Sequence, residues 1–564
     1  MRTTSATRFP TFSSIALALT VLWPGIGAAT GAHATKIPTS ISNAFAEMRT
    51  RGEQAWAREL AAVHRAPPHV AGSTLEVTSC ADDGGPGTLR SVVASALTGD
   101  VVDLTGLTCD RITLTGGYVL DNSDVPSFSI VGPGISELTI TSANASGIFY
   151  HQGTGTLRIS DLSVTEGYAE DSWGGCLLAP SGGFDLERVS VSACTAHQTS
   201  MLHGSNAMGG GISTFAELTL TDSVITGNTL SSDLPDAGPY SNLLAGGGAF
   251  ALLGPLTITR SVVSDNSIVS AVPIQGAVRG GGVMSYAGPM TVADSVVSGN
   301  SLHSEFYDDP VFFSRSSGAG LELGSGADLV LTNTTVDNNS IVNTYPIARS
   351  YGAGVSFSGN SATIASSTFS NNYSMGGAAG INDHGSSLSL TNSTVSGNRA
   401  TAGAAGLYAV GTLQITNSTI AFNVADDGVG GLATHATSSI VSTIVALNTG
   451  TGVSPDVDDF GSGLISGDHD FIGVPGAVNV PADTLTGDPL LAPLAHNGGR
   501  TQTHALGVGS TAIDAGSNPD ALDFDQRGTG FSRANGKAVD IGAFETGNDR
   551  IFTDGFDTAR VARR

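Results

Sequence analysis

Eleven-residue segments of alternating apolar and polar residues recur along the chain. In "LSLTNSTVSGN" (388 to 398) and "LQITNSTIAFN" (413 to 423), apolar residues hold positions one and three, then position eight. The period-two alternation therefore changes parity once, which predicts two short strands joined by a bend, both turning apolar residues to one interior. Six further segments fit: "LTLTDSVITGN" (218), "LTITRSVVSDN" (256), "MTVADSVVSGN" (290), "LVLTNTTVDNN" (329), "ATIASSTFSNN" (362) and "SSIVSTIVALN" (438). Position six is Ser or Thr in each. Position eleven is always Asn: Asn228, Asn266, Asn300, Asn339, Asn372, Asn398, Asn423 and Asn448. Asn suits a turn, and its amide can bond to the copies above and below, so this column predicts an asparagine ladder.

A glycine-rich stretch precedes each copy, from "GGGISTF" (209) and "GGGAFAL" (246) to "GAAGLYA" (403) and "GVGGLAT" (428), and supplies turns and a third strand. Successive ladder asparagines lie 38, 34, 39, 33, 26, 25 and 25 residues apart. Three parallel strands per coil predict an all-β solenoid, a parallel β-helix. Weaker copies at 137, 157 and 184 extend the stack to about eleven coils, a rod of roughly 50 Å. Such a rod needs its ends covered. "TLRSVVASALTG" (88 to 99) predicts a short capping helix with Leu89, Val92, Val93, Ala96 and Leu97 on one face, Thr88 as N-cap and Gly99 as stop.

The 564 residues carry a formal net charge of -25, which disfavours nucleic acid and polybasic membrane docking and suits cations or neutral sugars better. "FSSIALALTVLW" after Arg2 and Arg8, followed by "GAATGAHA", reads as a signal peptide cleaved near Ala34, with a retained anchor as the alternative. No later apolar run is long enough to span a bilayer. Export makes the four cysteines readable as disulfides, and proximity pairs Cys80 with Cys109 and Cys176 with Cys194; the two other connectivities stay open. Residues 35–73 read as a partly helical linker or prosegment, 74–130 as the N-terminal cap and first coils, 131–475 as repeats, 476–546 as a C-terminal cap region and 547–564 as a tail.

The segments "CADDGGPGTLRSVVASALTGDVVDLTGLTC" (80 to 109) and "DPLLAPLAHNGGRTQTHALGVGSTAIDAG" (488 to 516), with "DFDQRGTG" and "VDIGAFE" beyond, resemble bacterial surface proteins with a choice-of-anchor Q domain. The coils are similar to those of right-handed parallel β-helix proteins, and the glycine stretches weakly resemble polymorphic outer-membrane protein repeats. This resemblance implies a right-handed helix and a secreted or surface-held chain, and brings no catalytic residues. "NDRIFTDGF" (548 to 556) resembles a tail on some exported proteins, with sorting or attachment as its implied role.

Candidate chemistry lies where the repeat is interrupted. Insertions between a ladder Asn and the next glycine run are long at 229, 267, 301 and 340 but shrink to "YSM" (373) and "VADD" (424). Stacked, they predict a wall of loops on a rigid scaffold, where binding commonly resides. The wall carries Arg279, Arg315 and Arg349 before three successive glycine runs, with Tyr307, Phe312, Phe313 and Tyr345. Guanidinium groups pair with carboxylates and aromatic faces stack on sugar rings, so the set suits a sugar acid. The competing reading packs the aromatics onto their coils and pairs the arginines with Glu305, Asp308 or Asp309. The sequons at 392 and 417 fall on strand bends and belong to the template. No cofactor is called for; Asp456, Asp458 and Asp459 form a weak candidate for surface Ca²⁺. No compact acid pair stands out, and Asp383 with His384 is an isolated catalytic candidate. The expectation is a monomeric, non-catalytic rod that binds polysaccharide or a cell surface. A polysaccharide lyase or glycoside hydrolase is the alternative, and a purely structural rod the third reading.

Overall fold

The computed structural model describes residues 69–200, 202–234, 242–274, 276–306, 315–324, 326–343, 349–435, 437–452, 454–461 and 465–547, with Asn43, Ala46–Met48, Thr50 and Gln54. The signal peptide, most of the linker and the tail beyond 547 lie outside these residues, as do Tyr307, Phe312, Phe313 and Tyr345.

Each template copy forms two strands, as in Leu218–Thr221 and Val224–Thr226, which pair in parallel with the copies before and after. The parity change is a single left-handed residue at position five: Asp222, Arg260, Asp294, Asn333, Ser366, Asn392, Asn417 and Ser442 have φ between 46° and 53°. Asp and Asn tolerate this conformation better than most side chains, which explains their share of that column. The third strands, such as Ile212–Thr214 and Ala249–Ala251, stack as a separate twelve-stranded sheet. With crossovers of the usual hand, the chain is a right-handed parallel β-helix. Eleven steps of ~4.8 Å make the rod roughly 50 Å long.

Positions three and eight fill one continuous core, from Leu220 and Ile225 to Ile440 and Val445. Two buried hydrogen-bond ladders flank it. Each ladder Asn amide reaches the next, as in Asn266 Nδ2 to Asn300 Oδ1 at 3.0 Å, and each position-six backbone N–H donates to the next hydroxyl, as in Ser223 N to Ser261 Oγ at 3.0 Å. Both ladders end on an aspartate. Asp456 Oδ1 accepts from Asn448 N and Nδ2 at 3.0 and 2.9 Å, while Asp470 Oδ1 accepts from Thr443 N at 3.1 Å.

Burial, reinforced by Asp468 and Asp483, pushes Asp470 from 3.8 up to about 8. A carboxyl whose folded pKa is raised holds its proton more tightly when folded, so its contribution is complete below about pH 4 and declines as pH rises toward 8. Asp470→Asn keeps the acceptor and cannot ionise. Its melting temperature should exceed that of the wild type at pH 8.5, and the difference should vanish at pH 4.

The capping helix is shorter than the pattern predicts. It spans Leu89–Val93 with Thr88 as N-cap and ends at Ala94, after which Ser95 N and Ala96 N bond three residues back in a tighter turn. Leu97 consequently reaches the surface, 36% exposed, and Gly99 (φ 84°) lies beyond the helix. Disulfides join Cys80 to Cys109 and Cys176 to Cys194. Among the described residues, no helix is long and apolar enough to cross a membrane.

Residues 488–546 do not sit on the rod's end but run back along the second template strands. Ser396 Oγ donates to His504 Nε2 (2.8 Å), Thr394 Oγ1 donates to Gln526 Oε1 (2.6 Å), and Arg500 Nη2 reaches Asp294 O (2.7 Å). This strap buries the sequon residues Asn392 and Asn417, whose amides donate to Phe524 O and Ser517 O. The motifs "DFDQRGTG" and "VDIGAFE" meet in it, where Arg527 bonds to Asp525 and Glu545 O between the rings of Phe531 and Phe544.

Among the described residues, the insertions are strands rather than loops. Residues after the ladder Asn continue as a nine-stranded sheet that includes Thr229–Ser232 and Ser267–Ile274. Those before the glycine run form a five-stranded sheet: Leu202–Met208, Asn242–Ala245, Gly276–Arg279, Arg315–Ser317 and Arg349–Tyr351. Leu230, Ile268, Leu302 and Ile341 of one pack with Leu244 and Val278 of the other. Their period-two apolar positions drive the pairing; read as loops, they concealed a second small core.

Candidate functional site

A corner forms where the five-stranded sheet turns into the third strands. The turn residues Gly209, Gly246, Gly280, Gly318 and Gly352 have φ between 61° and 73°. A Cβ on Gly318 would lie 2.7 Å from Glu322 Cβ, and one on Gly280 2.7 Å from Met284 Cβ, so glycine is required by close approach as well as by φ. The central residues of successive third strands line one wall in register: Leu178, Ser213, Phe250, Met284, Glu322, Ser356, Asn382 and Tyr408.

The lining changes character along the rod. In the N-terminal half, Leu178, Met208, Ala245, Phe250 and Met284 fill the corner as a buried apolar cluster, with Tyr286 packed against it. From the next coil it is polar, and Glu322, Ser356 and Asn382 are buried. Arg279 Nη1 stands 3.7 Å from Glu322 Oε1, and neither Glu322 oxygen has a hydrogen-bond partner. That separation neutralises charge without a direct hydrogen bond. Arg315 lies beside this pair, its guanidinium 5.8 Å from the Tyr351 ring centre.

Beyond Tyr351 the insertions shrink, the five-stranded sheet ends, and the wall opens to solvent. A row of rings then follows the rod axis: Tyr351 to His384 at 6.2 Å, His384 to Tyr408 at 5.6 Å, Tyr408 to His435 at 5.7 Å, and His435 stacked on Phe460 at 4.0 Å. Tyr351 and Tyr408 are half-buried, His384 and His435 exposed, and Phe460 is 52% exposed. Partial loss of hydration, followed by the positive charge of Arg315, pushes His384 down to about 4, leaving it neutral at pH 7.

The sequence-predicted residues come together in part. Arg315 and Arg349 are direct register partners, but Arg279 pairs with Ser317, two residues further along, so the arginines do not form one column. Among the described residues, the acid facing Arg279 is Glu322, which comes from the next third strand, a neighbour that only the coil register reveals; Asp308 and Asp309 lie outside them. Asp383 and His384 do not act as a pair. Asp383 shares its column with the core residues Phe357 and Ala409, whereas His384, with the opposite parity, joins the ring row. Burial pushes Asp383 up to about 6, and its Oδ1 accepts from Gly385 N. Nor do the three aspartates near 456 converge as a Ca²⁺ site. Asp456 ends the ladder and accepts from Val474 N, while Asp458 and Asp459 accept from Phe460 N and Gly461 N in local turns. Among the described residues there is no metal-ligating cluster of three.

Sequence reasoning missed Glu322, Tyr351, Tyr408, His435 and Phe460. The available signal was a charged or aromatic residue at the outward parity beside a glycine run, as in "GAGLELG" and "GAAGLYA". Elsewhere, the broad sheet formed by the stacked template strands carries a shallow recess of about 480 Å³ whose lining includes Arg158, Asp185 and Glu217. Arg158 lies 3.7 Å from Asp185 and also pairs with Glu187, and Thr156 donates to Glu217.

No family model matches the chain, and no curated protein matches it. The chain is similar to a solved structure titled "Crystal structure of pectate lyase Pel9A", at 11% identity and a TM-score of 0.33, over 84% of this chain and 97% of that one. A likeness of that size carries nothing about activity.

Proposed function

We propose that this chain is an exported bacterial surface or extracellular β-helix that binds an extended acidic polysaccharide along the corner groove without cleaving it. The observation that carries this reading is the partly exposed ring row from Tyr351 to Phe460, whose steps of 4.0 to 6.2 Å follow the rod axis. Flat side chains in line suit the apolar faces of successive sugar rings. Arg315, near Tyr351 at the inner end, adds a positive charge that suits a sugar acid. Two disulfides fit an oxidising extracellular setting. The residues that resemble a choice-of-anchor Q domain support attachment at a surface.

Binding is favoured over catalysis because the groove's buried acid, Glu322, faces Arg279 and its oxygens are shut from solvent. One observation favours a hydrolase: burial, with the charges of Glu187 and Glu217, raises the Asp185 carboxyl beside the recess on the broad sheet. Incubating the mature chain with acidic and neutral polysaccharides, with and without Ca²⁺, separates the two. Retention on acidic polymers with no new reducing ends and no unsaturated product is expected. Product formation would make the chain an enzyme and move attention to Asp185 and Glu217.

A further inference from the structure

A serine, a histidine and an aspartate meet on the nine-stranded sheet, outside the groove. The strands Tyr168–Glu170, Thr195–Gln198 and Thr229–Ser232 are parallel neighbours there, and His197 stands in register with Glu170 on one side and Ser231 on the other. Ala196 and Leu230 belong to the second core, so period-two alternation turns His197 and Ser231 outward on one face. Asp233 has the same parity as Ser231 and lies just past its strand, where its N–H continues the ladder to Gln198 O at 3.0 Å. Ser231 Oγ is 2.7 Å from His197 Nδ1, and His197 Nε2 is 3.3 Å from Asp233 Oδ2. An ionised carboxylate only accepts, so Asp233 fixes the imidazole proton on Nε2 and leaves Nδ1 to accept from the Ser231 hydroxyl. The His197 side chain is 20% exposed and Ser231 is half-buried, so a small molecule in solution reaches both.

We propose that Ser231 is a nucleophile, His197 its general base and Asp233 a positioning residue, and that together they hydrolyse small carboxylic esters. Nucleophile and base are within hydrogen-bond reach, and a third group orients the base. Ser231 Oγ bonds to the acyl carbon as its proton passes to His197 Nδ1; the ester C–O bond breaks, and the alcohol leaves with that proton. Water then attacks the acyl-serine by the same route, which releases the carboxylic acid and restores Ser231. Charge narrows the substrate. Glu170, Asp171 and Asp233 all act on Tyr168, whose ring centre is 6.4 Å from that of His197, and these carboxylates repel an acidic ester and favour a neutral or cationic one. The activity is independent of the groove reading and leaves a polysaccharide backbone uncut.

The test incubates the whole mature protein with p-nitrophenyl acetate, with the acidic p-nitrophenyl hemisuccinate, and with a fluorophosphonate that phosphonylates reactive serines with loss of fluoride. Hydrolysis of the acetate above the free-imidazole background is expected, with the hemisuccinate slower by about tenfold. Mass spectrometry should place the adduct on Ser231. Ser231→Ala and His197→Gln, at unchanged melting temperature, should each lose about a hundredfold in rate. Asp233→Asn should lose about tenfold, with part of the rate restored by Asp233→Glu, a rescue that a merely structural role would not give. No adduct, an adduct on another serine, a hemisuccinate cleaved as fast as the acetate, or a folded Ser231→Ala that keeps the wild-type rate would each overturn the assignment.

Discussion

Asn300→Ala should destabilise the rod by about 3 to 5 kcal/mol. The Asn300 side chain is buried and makes four hydrogen bonds. Its Oδ1 accepts from Asn266 N at 3.1 Å and Asn266 Nδ2 at 3.0 Å, and its Nδ2 donates to Val263 O at 3.0 Å and Asn339 Oδ1 at 2.9 Å. Alanine leaves Asn266 N without this acceptor in the interior, and an orphaned buried donor costs about 1 to 3 kcal/mol by itself. The other three bonds and the volume of the amide add to that. Asn300→Asp does not rescue, because a carboxylate oxygen would then face Val263 O and Asn339 Oδ1. A solenoid unfolds by neighbouring units, so the loss should be concentrated in the adjacent coils. Urea unfolding combined with hydrogen exchange checks this: amides from about 228 to 339 should exchange faster, with those near 440 little changed. Uniform exchange along the rod would mean that the ladder acts as one cooperative unit.

Replacing Cys176 and Cys194 together by serine should cost about 3 kcal/mol, the loop-closure entropy of a crosslink spanning 18 residues. Both residues are buried in the core, so the serine hydroxyls add a desolvation cost. Cys194 N donates to Asn228 Oδ1 at 3.0 Å, where the asparagine ladder begins. Losing the crosslink therefore loosens the ladder's first step. The double variant should show a lower urea midpoint with its earliest exchange between 176 and 228; a midpoint equal to the wild type's would mean that the coil stack alone fixes this region.

The stack was legible in the sequence because each rung repeats the same local instructions. Leu220 and Ile225 declare their parity by alternation, Asp222 marks the bend, and Asn228 recurs in an invariant slot. What escaped is what depends on a partner many residues away. Glu322 meets Arg279 only after the chain has completed a coil, and Asp456 and Asp470 end ladders that begin far upstream. The insertions were misread because Val278 and Leu244 alternate too briefly to declare strands alone, and find a partner only once Ile268 and Leu230 are placed opposite. The ring row escaped for a related reason. Tyr351 ends an insertion strand, Tyr408 is central in a third strand, and His384, His435 and Phe460 follow third strands, so no single spacing in the sequence joins them.

The groove is tested most directly by titrating polygalacturonate into the wild type and into a Tyr408→Ala, His435→Ala, Phe460→Ala triple variant with an unchanged melting temperature. Each ring contributes about 0.5 to 1.5 kcal/mol beyond its buried area, so the account predicts at least a tenfold loss of affinity in the triple variant. Full affinity in that variant would contradict it and place the binding surface elsewhere on the rod.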